Sequence, residues 1–256
     1  MVNFFISEKL GLVCLNPMII GHRGASAYAP ENTFSAFKLA QKLGCHGLEF
    51  DVQLTRDGVP IVIHDETLDR TTNHVGQVSN FLWKEIQLID AGLWKGEQWR
   101  GERIPALEDV LTECKGMYLN IELKNSKIAY PGLEETIVRL IERYCDIGNV
   151  IVSSFNHSSL QQIKKLAPHI QTGVLYERQP KDAVSYIKNL GGTAAHPNFR
   201  FVKKEQVDAF HQEGISVSTW TVNSLRDLKA AIRSGVDRII TNYPDRLRDL
   251  LQLTEA

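Results

Sequence analysis

The chain has 256 residues, 43% of them hydrophobic and 23% charged, and 29 Lys plus Arg against 30 Asp plus Glu leave a net charge of -1. That apolar share fills a sizeable core and excludes chain-wide disorder. The near-neutral balance removes any global electrostatic reason to bind nucleic acid or an anionic membrane.

Four cysteines, Cys14, Cys45, Cys114 and Cys145, stand in no close metal spacing. A zinc ribbon is therefore excluded, and they read as reduced thiols of a cytoplasmic protein. No apolar run approaches the roughly 18 residues of a transmembrane helix, and no stable membrane association is expected. Residues 1–17, split by Glu8 and Lys9 and lacking a basic start, make a poor signal peptide and read as an extension ahead of the folded part.

In chain order, short apolar runs alternate with amphipathic segments. Met18–Gly21 precedes a helical face of Phe34, Phe37, Ala40 and Leu43 that stops at Gly44. Gly47–Asp51 and Val59–His64 follow, then a helix over Leu107, Val110, Leu111 and Cys114 before Gly116. Tyr118–Leu123 leads to a helix with Leu133, Ile137, Leu140 and Ile141, and Asn149–Ser153 to one with Leu160, Ile163 and Leu166. Gln171–Leu175 precedes Val184, Ile187 and Leu190, and Thr193–His196 precedes Val207 and Phe210. Ile215–Trp220 is followed by a helix that Ser224 can cap and Gly235 can stop, and Asp237–Thr241 by a last helix that Asp245 can cap.

Repeated strand–helix units predict a parallel sheet. Of nine candidate strands, Val59–His64 follows Gly47–Asp51 too closely for a parallel crossover, and Asp57–Gly58 signals a hairpin turn. It therefore runs antiparallel, outside the barrel. Eight strands remain, the number for a (β/α)8 TIM barrel. Residues 53–104, with Trp83, Trp94 and Trp99, read as a small inserted subdomain after the second strand.

Barrel enzymes carry their chemistry at the C-terminal strand ends. Glu49 and Asp51, two apart on one strand, face the same side, and Glu122 ends the adjacent strand. Three oxygen donors without a thiolate suit one hard divalent cation, Mg²⁺ or Ca²⁺. Ordinary salt bridges are the competing reading for Glu49 and Asp51; Glu122 at the equivalent position favours the cation. His22 ends the first strand, and antiparallel pairing sets His64 roughly opposite Glu49. One imidazole can take a proton while the other supplies one. Arg23 and Lys124 either neutralise these acids or bind a phosphoryl group. The set fits metal-assisted phosphodiester cleavage better than acyl or hydride transfer.

HRGASAYAPENT (22–33), LEFDVQLTRDGVPIVIHD (48–65), IELK (121–124), STWTVN (218–223) and TNYPD (241–245) together resemble the signature of glycerophosphodiester phosphodiesterases of the soluble bacterial type, from about Met18 to the C-terminus. The resemblance implies a TIM barrel with a small insertion. It implies His22 and His64 as general acid and base, Glu49, Asp51 and Glu122 as metal ligands, Arg23 and Lys124 at the phosphate, and Trp220 lining the substrate side. The implied reaction is hydrolysis of a small-molecule glycerophosphodiester to glycerol 3-phosphate and an alcohol such as choline, ethanolamine or glycerol. The expected route runs through a cyclic glycerol phosphate, with direct attack by water as its rival.

Other polar residues carry weaker expectations. Glu31 and Asn32 can orient His22, although helix capping suits Asn32 better. His196 and Asn198 can meet the alcohol, and His157 reads as structural. A homo-oligomer stays open. Two competing functions remain: a phospholipase D-like enzyme cleaving lysophospholipids, with the insertion's tryptophans lining an apolar mouth, and a non-catalytic phosphate-ligand-binding protein. The intact His22, His64, Glu49, Asp51 and Glu122 set argues against the latter.

Overall fold

The structure is a computed structural model describing residues 16–255, so Cys14 and most of the expected 1–17 extension lie outside the described residues. From β1 (Met18–His22) the chain passes through α1 (Phe34–Lys42) into β2 (Gly47–Leu54), which pairs with β1 in parallel. β3 (Pro60–Val62) then turns back antiparallel along β2. Its hairpin closes at Gly58, whose φ of 78° suits a residue without a Cβ. After α2 (Trp83–Ile86) and α3 (Leu107–Glu113), strands and helices alternate strictly. The series is β4 (Tyr118–Leu123), α4 (Leu133–Tyr144), β5 (Val150–Ser154), α5 (His157–Leu166), β6 (Gln171–Tyr176), α6 (Ala183–Asn189), β7 (Ala194–Pro197), α7 (Lys204–Gln212), β8 (Ser216–Thr219), α8 (Leu225–Ser234), β9 (Arg238–Thr241) and α9 (Pro244–Glu255).

The strand order β1-β9-β8-β7-β6-β5-β4-β2, closed by β1–β2, is an eight-stranded parallel barrel, with β3 bonded outside it. Alternation divides each strand between two environments. Leu48, Phe50 and Val52 of β2, with Leu119, Ile121 and Leu123 of β4, join the core under the helices. The opposite faces point into the barrel, where Ile20, Tyr118, Ile151, Ala194 and Ile240 form an apolar floor. The site's side chains stand above that floor on the same inward faces.

Local signals set the helix limits. Thr33 accepts from the Ala36 N–H to cap α1, and Ser224 accepts from the Asp227 N–H to cap α8, which ends at left-handed Gly235. The last helix departs from expectation. Pro244 occupies its first position, so Asp245 lies within the first turn instead of capping it. There its carboxylate suits the positive end of the helix and accepts from the Tyr28 hydroxyl.

Gly47 is required by close approach: a Cβ there would lie 2.3 Å from the Tyr118 carbonyl oxygen and 2.9 Å from Ile20 Cδ1. Gly47→Ala is expected to destabilise the fold by about 1–3 kcal/mol, the usual range for overpacking, read as a lower urea midpoint at constant m.

Between β2 and α3 the chain builds a separate cluster of Ile61, Ile63, Leu68, Val78, Ile86, Ile89, Ala91 and Ile104. Of the three tryptophans, Trp83 packs against this cluster, while Trp94 is 37% exposed with its indole N–H on the Ala91 carbonyl. The segment is packed, as its three tryptophans suggest, but around aliphatic side chains. Among the described residues, no helix is long and apolar enough to cross a membrane.

Candidate active site

The paired strands β2 and β4 set Asp51 in register with Glu122, and Glu49 points the same way two residues earlier. Glu49, Asp51 and Glu122 offer oxygens that all lie within 4.8 Å of one another. Burial, and then the charges of Asp51 and Glu122, push Glu49 well above the usual carboxylate range. Burial and Asp51 push Glu122 up as well. Burial also acts to raise Asp51, but Arg23, His64 and Lys124 outweigh it and hold its carboxyl at about 2. Two buried oxygens, Glu49 Oε1 and Asp51 Oδ1, have no hydrogen-bond partner. Crowded, dehydrated carboxylates with unused lone pairs and no sulfur nearby are a donor set that fits a hard divalent cation.

Arg23 follows β1 in the left-handed region, with φ 55°. This turn brings its backbone N–H onto the Glu49 carbonyl at 2.8 Å and the Glu49 carboxylate at 3.1 Å. Its guanidinium lies 2.7 Å from Glu31 and 3.2 Å from Asp51. Among the described residues other than glycine, Asn32 is the second in the left-handed region, with φ 59°. Its buried side-chain amide donates to Asp51 at 2.9 Å, and the capping expected of it falls to Thr33. Glu31 holds Arg23 and Arg70, so it does not orient His22.

Both candidate histidines are held through Nδ1. His22 Nδ1 is 2.6 Å from the Asn242 side-chain oxygen, and His22 Nε2 lies 3.9 Å from Glu49. Burial and then Arg23 push His22 down to about 4, so it is neutral at pH 7. His64 Nδ1 is 2.6 Å from Asp65, and His64 Nε2 is 3.2 Å from Lys124 Nζ, which donates to Glu122 at 2.9 Å. β3 ends at Val62, which pairs with Val52, and the Ile63 N–H reaches the Asp51 carbonyl; His64 lies just past this ladder, where its ring meets Asp65 and Lys124. With an oxygen acceptor at each Nδ1, the proton of each neutral ring sits there and Nε2 is left as an acceptor: that of His64 faces Lys124 Nζ, and that of His22 lies 3.9 Å from Glu49.

Trp220 follows β8, with its indole N–H on the His196 carbonyl at 2.7 Å and its ring edge-on to Phe155. It lines one pocket with His22, Glu49, Glu122 and Leu175. His196 does not reach that pocket. Its ring is fully buried and packs into space left by Gly173, where a Cβ would lie 2.5 Å away. Burial, helped by Arg238, pushes it to about 3. Asn198 accepts from the Arg200 N–H and caps the start of the short turn Phe199–Phe201. His157 opens α5 and bonds the Tyr186 hydroxyl and the Leu175 carbonyl, a structural role as expected.

Three participants drew no role from the sequence, although Asp65 closes the 48–65 motif and Asn242 stands in TNYPD. Asn242 stands just after β9, where the strand-end rule already pointed. Asp65 is the residue after His64. Arg70 lies in irregular backbone, with no periodicity to mark it.

By fold and by the groups gathered above its apolar floor, this is a barrel enzyme with its chemistry at the C-terminal strand ends. The profile of the glycerophosphoryl diester phosphodiesterase family matches residues 22–246. A glycerophosphodiester phosphodiesterase of Caldanaerobacter subterraneus is 42% identical over 240 residues, covering 93% of this chain and 99% of the relative. One from Bacillus altitudinis is 42% identical over 233 residues, covering 89% and 95%. A phosphodiesterase of Oleispira antarctica, solved in complex with the product sn-glycerol-3-phosphate, superposes with a TM-score of 0.85 at 31% identity, covering 93% of this chain and 97% of that one. The chain belongs to the glycerophosphoryl diester phosphodiesterase family.

Proposed function

We propose that the protein hydrolyses small glycerophosphodiesters to glycerol 3-phosphate and an alcohol, using one divalent cation, Mg²⁺ or Ca²⁺, held by Glu49, Asp51 and Glu122. The observation that carries this reading is the carboxylate trio of Glu49, Asp51 and Glu122, with buried oxygens of Glu49 and Asp51 unpartnered, His22 Nε2 3.9 Å from Glu49, and His64 Nε2 on the Lys124 ammonium that binds Glu122. When bound, the cation supplies positive charge that offsets the carboxylates and the phosphate.

The remaining steps belong to the chain's own residues. Arg23 and Lys124 flank the carboxylates and supply donors for the phosphate oxygens. One of His22 and His64 takes the proton of the glycerol hydroxyl next to the ester as that oxygen attacks phosphorus. The other protonates the departing alkoxide. Water then opens the cyclic phosphate, with the two roles exchanged. Trp220 walls the side of the pocket near His22.

The route is tested by following glycerophosphocholine and its 2-deoxy analogue by phosphorus NMR. The parent is expected to pass through a transient cyclic ester to glycerol 3-phosphate, and the analogue to stay intact. Turnover of the analogue at the parent's rate would replace the internal hydroxyl by water as nucleophile. An untouched parent would remove the reaction itself.

A further inference from the structure

Behind His64 and Arg23 lies a continuous chain of charge outside the groups assigned above. The Arg70 guanidinium makes four hydrogen bonds to two carboxylates. Its Nε donates to Asp65 Oδ2 at 2.7 Å and its Nη2 to Asp65 Oδ1 at 3.0 Å. Nη1 donates to Glu31 Oε2 and Nη2 to Glu31 Oε1, both at 2.8 Å. Asp65 Oδ1 is the atom that receives His64 Nδ1, and Glu31 Oε1 is the atom that receives Arg23. One planar fork thus fixes the two acceptors that orient a candidate proton-transfer group and a candidate phosphate ligand.

The three residues come from separate segments. Glu31 lies in the loop after β1, Asp65 follows β3, and Arg70 belongs to the inserted segment. The Arg70 side chain is 44% exposed, so this bridge contributes little to the stability of the fold. Its geometry is nonetheless specific, because only a guanidinium presents paired donors to two carboxylates at once. The flanking chain is held independently, with Leu68 fully buried and the Thr72 hydroxyl on the Leu68 carbonyl.

We propose that Arg70 is a positioning residue through which the inserted segment sets the orientation of His64 and Arg23. This rests on the reading of those two residues as parts of the phosphodiesterase site. Arg70 acts through Asp65 and Glu31, the two carboxylates its guanidinium binds. Losing it frees both carboxylates to rotate, and small misplacements of reacting groups are costly in rate.

The test compares Arg70→Met and Arg70→Lys with wild type on glycerophosphocholine, together with melting temperatures. A second readout is the downfield imidazole N–H proton of His64 in the NMR spectrum of the wild-type and variant proteins. Arg70→Met is expected to lose about ten- to a hundredfold in kcat with little change in KM, and to lose or broaden that resonance at a nearly unchanged melting temperature. Arg70→Lys is expected to recover only a small part, since one ammonium cannot serve both carboxylates. Millimolar guanidinium added to an Arg70→Ala protein is expected to restore part of the rate.

An unchanged kcat in Arg70→Met, or full rescue by Arg70→Lys, would overturn the proposal. So would a loss that only tracks a lower melting temperature. The two readings fail separately. An inactive wild type whose resonance still depends on Arg70 would overturn the phosphodiesterase reading and keep the positioning. An active wild type indifferent to Arg70 would do the reverse.

Discussion

His64→Ala is expected to lower kcat by about 10²–10⁴-fold, the usual contribution of a positioned acid or base, with KM changed little. The ring is held for this work. Asp65 takes its Nδ1–H at 2.6 Å, and Nε2 is turned toward Lys124 and the carboxylates. Removing the imidazole leaves Lys124 on Glu122, so the phosphate-facing charge and the fold survive. The side chain is partly exposed, and its loss opens no cavity in the barrel core. Steady-state kinetics on glycerophosphocholine read the effect. A His64→Ala protein with kcat within a factor of about two of wild type would remove His64 from proton transfer, since general catalysis is worth far more.

The second large effect is expected at Asp51. Asp51→Asn keeps the shape of the side chain but removes the charge that Arg23, Asn32 and Lys124 surround. If Asp51 is a ligand, the variant loses both activity and its response to cation. At a cation concentration 100-fold above its Kd, wild type gains about 2.7 kcal/mol of stability by linkage, and the variant gains almost none. Thermal melts with and without Mg²⁺ or Ca²⁺ measure this directly. An equal cation-induced shift in wild type and Asp51→Asn would return Asp51 to an ordinary salt-bridge role with Arg23. Repeating the melts with Glu122→Gln separates the contribution of β4 from that of β2.

The barrel was legible because its signals are local and repeated. Each helix carries a 3.6-residue apolar stripe, and the hairpin at Asp57–Gly58 removes one strand from the count of nine. The carboxylates were legible for the same reason. A two-residue spacing on a strand fixes a common side, and the strand-end rule adds Glu122. What stayed hidden depends on backbone exceptions and on long-range partners. Asn32 looked like a helix cap because its type favours that role. The left-handed turn at Asn32 moved the cap to Thr33 and sent the amide to Asp51. His196 looked like a strand-end residue for the alcohol. It lies within β7, one residue before the strand's end, and is fully buried where the missing side chain of Gly173 gives it room. Asn242 and His22 are 220 positions apart, and Arg70 meets Glu31 across 39. No local pattern announces such pairs.

The most direct measurement is release of glycerol 3-phosphate from glycerophosphocholine and glycerophosphoethanolamine by the purified protein. It is run with Mg²⁺, with Ca²⁺ and with EDTA, with His64→Ala alongside. The predicted result is release with at least one of the two cations, abolished by EDTA and nearly abolished in the variant. Equal release in EDTA, or no release with either cation, would contradict a barrel site in which Glu49, Asp51 and Glu122 hold the cation and His22 and His64 move the protons.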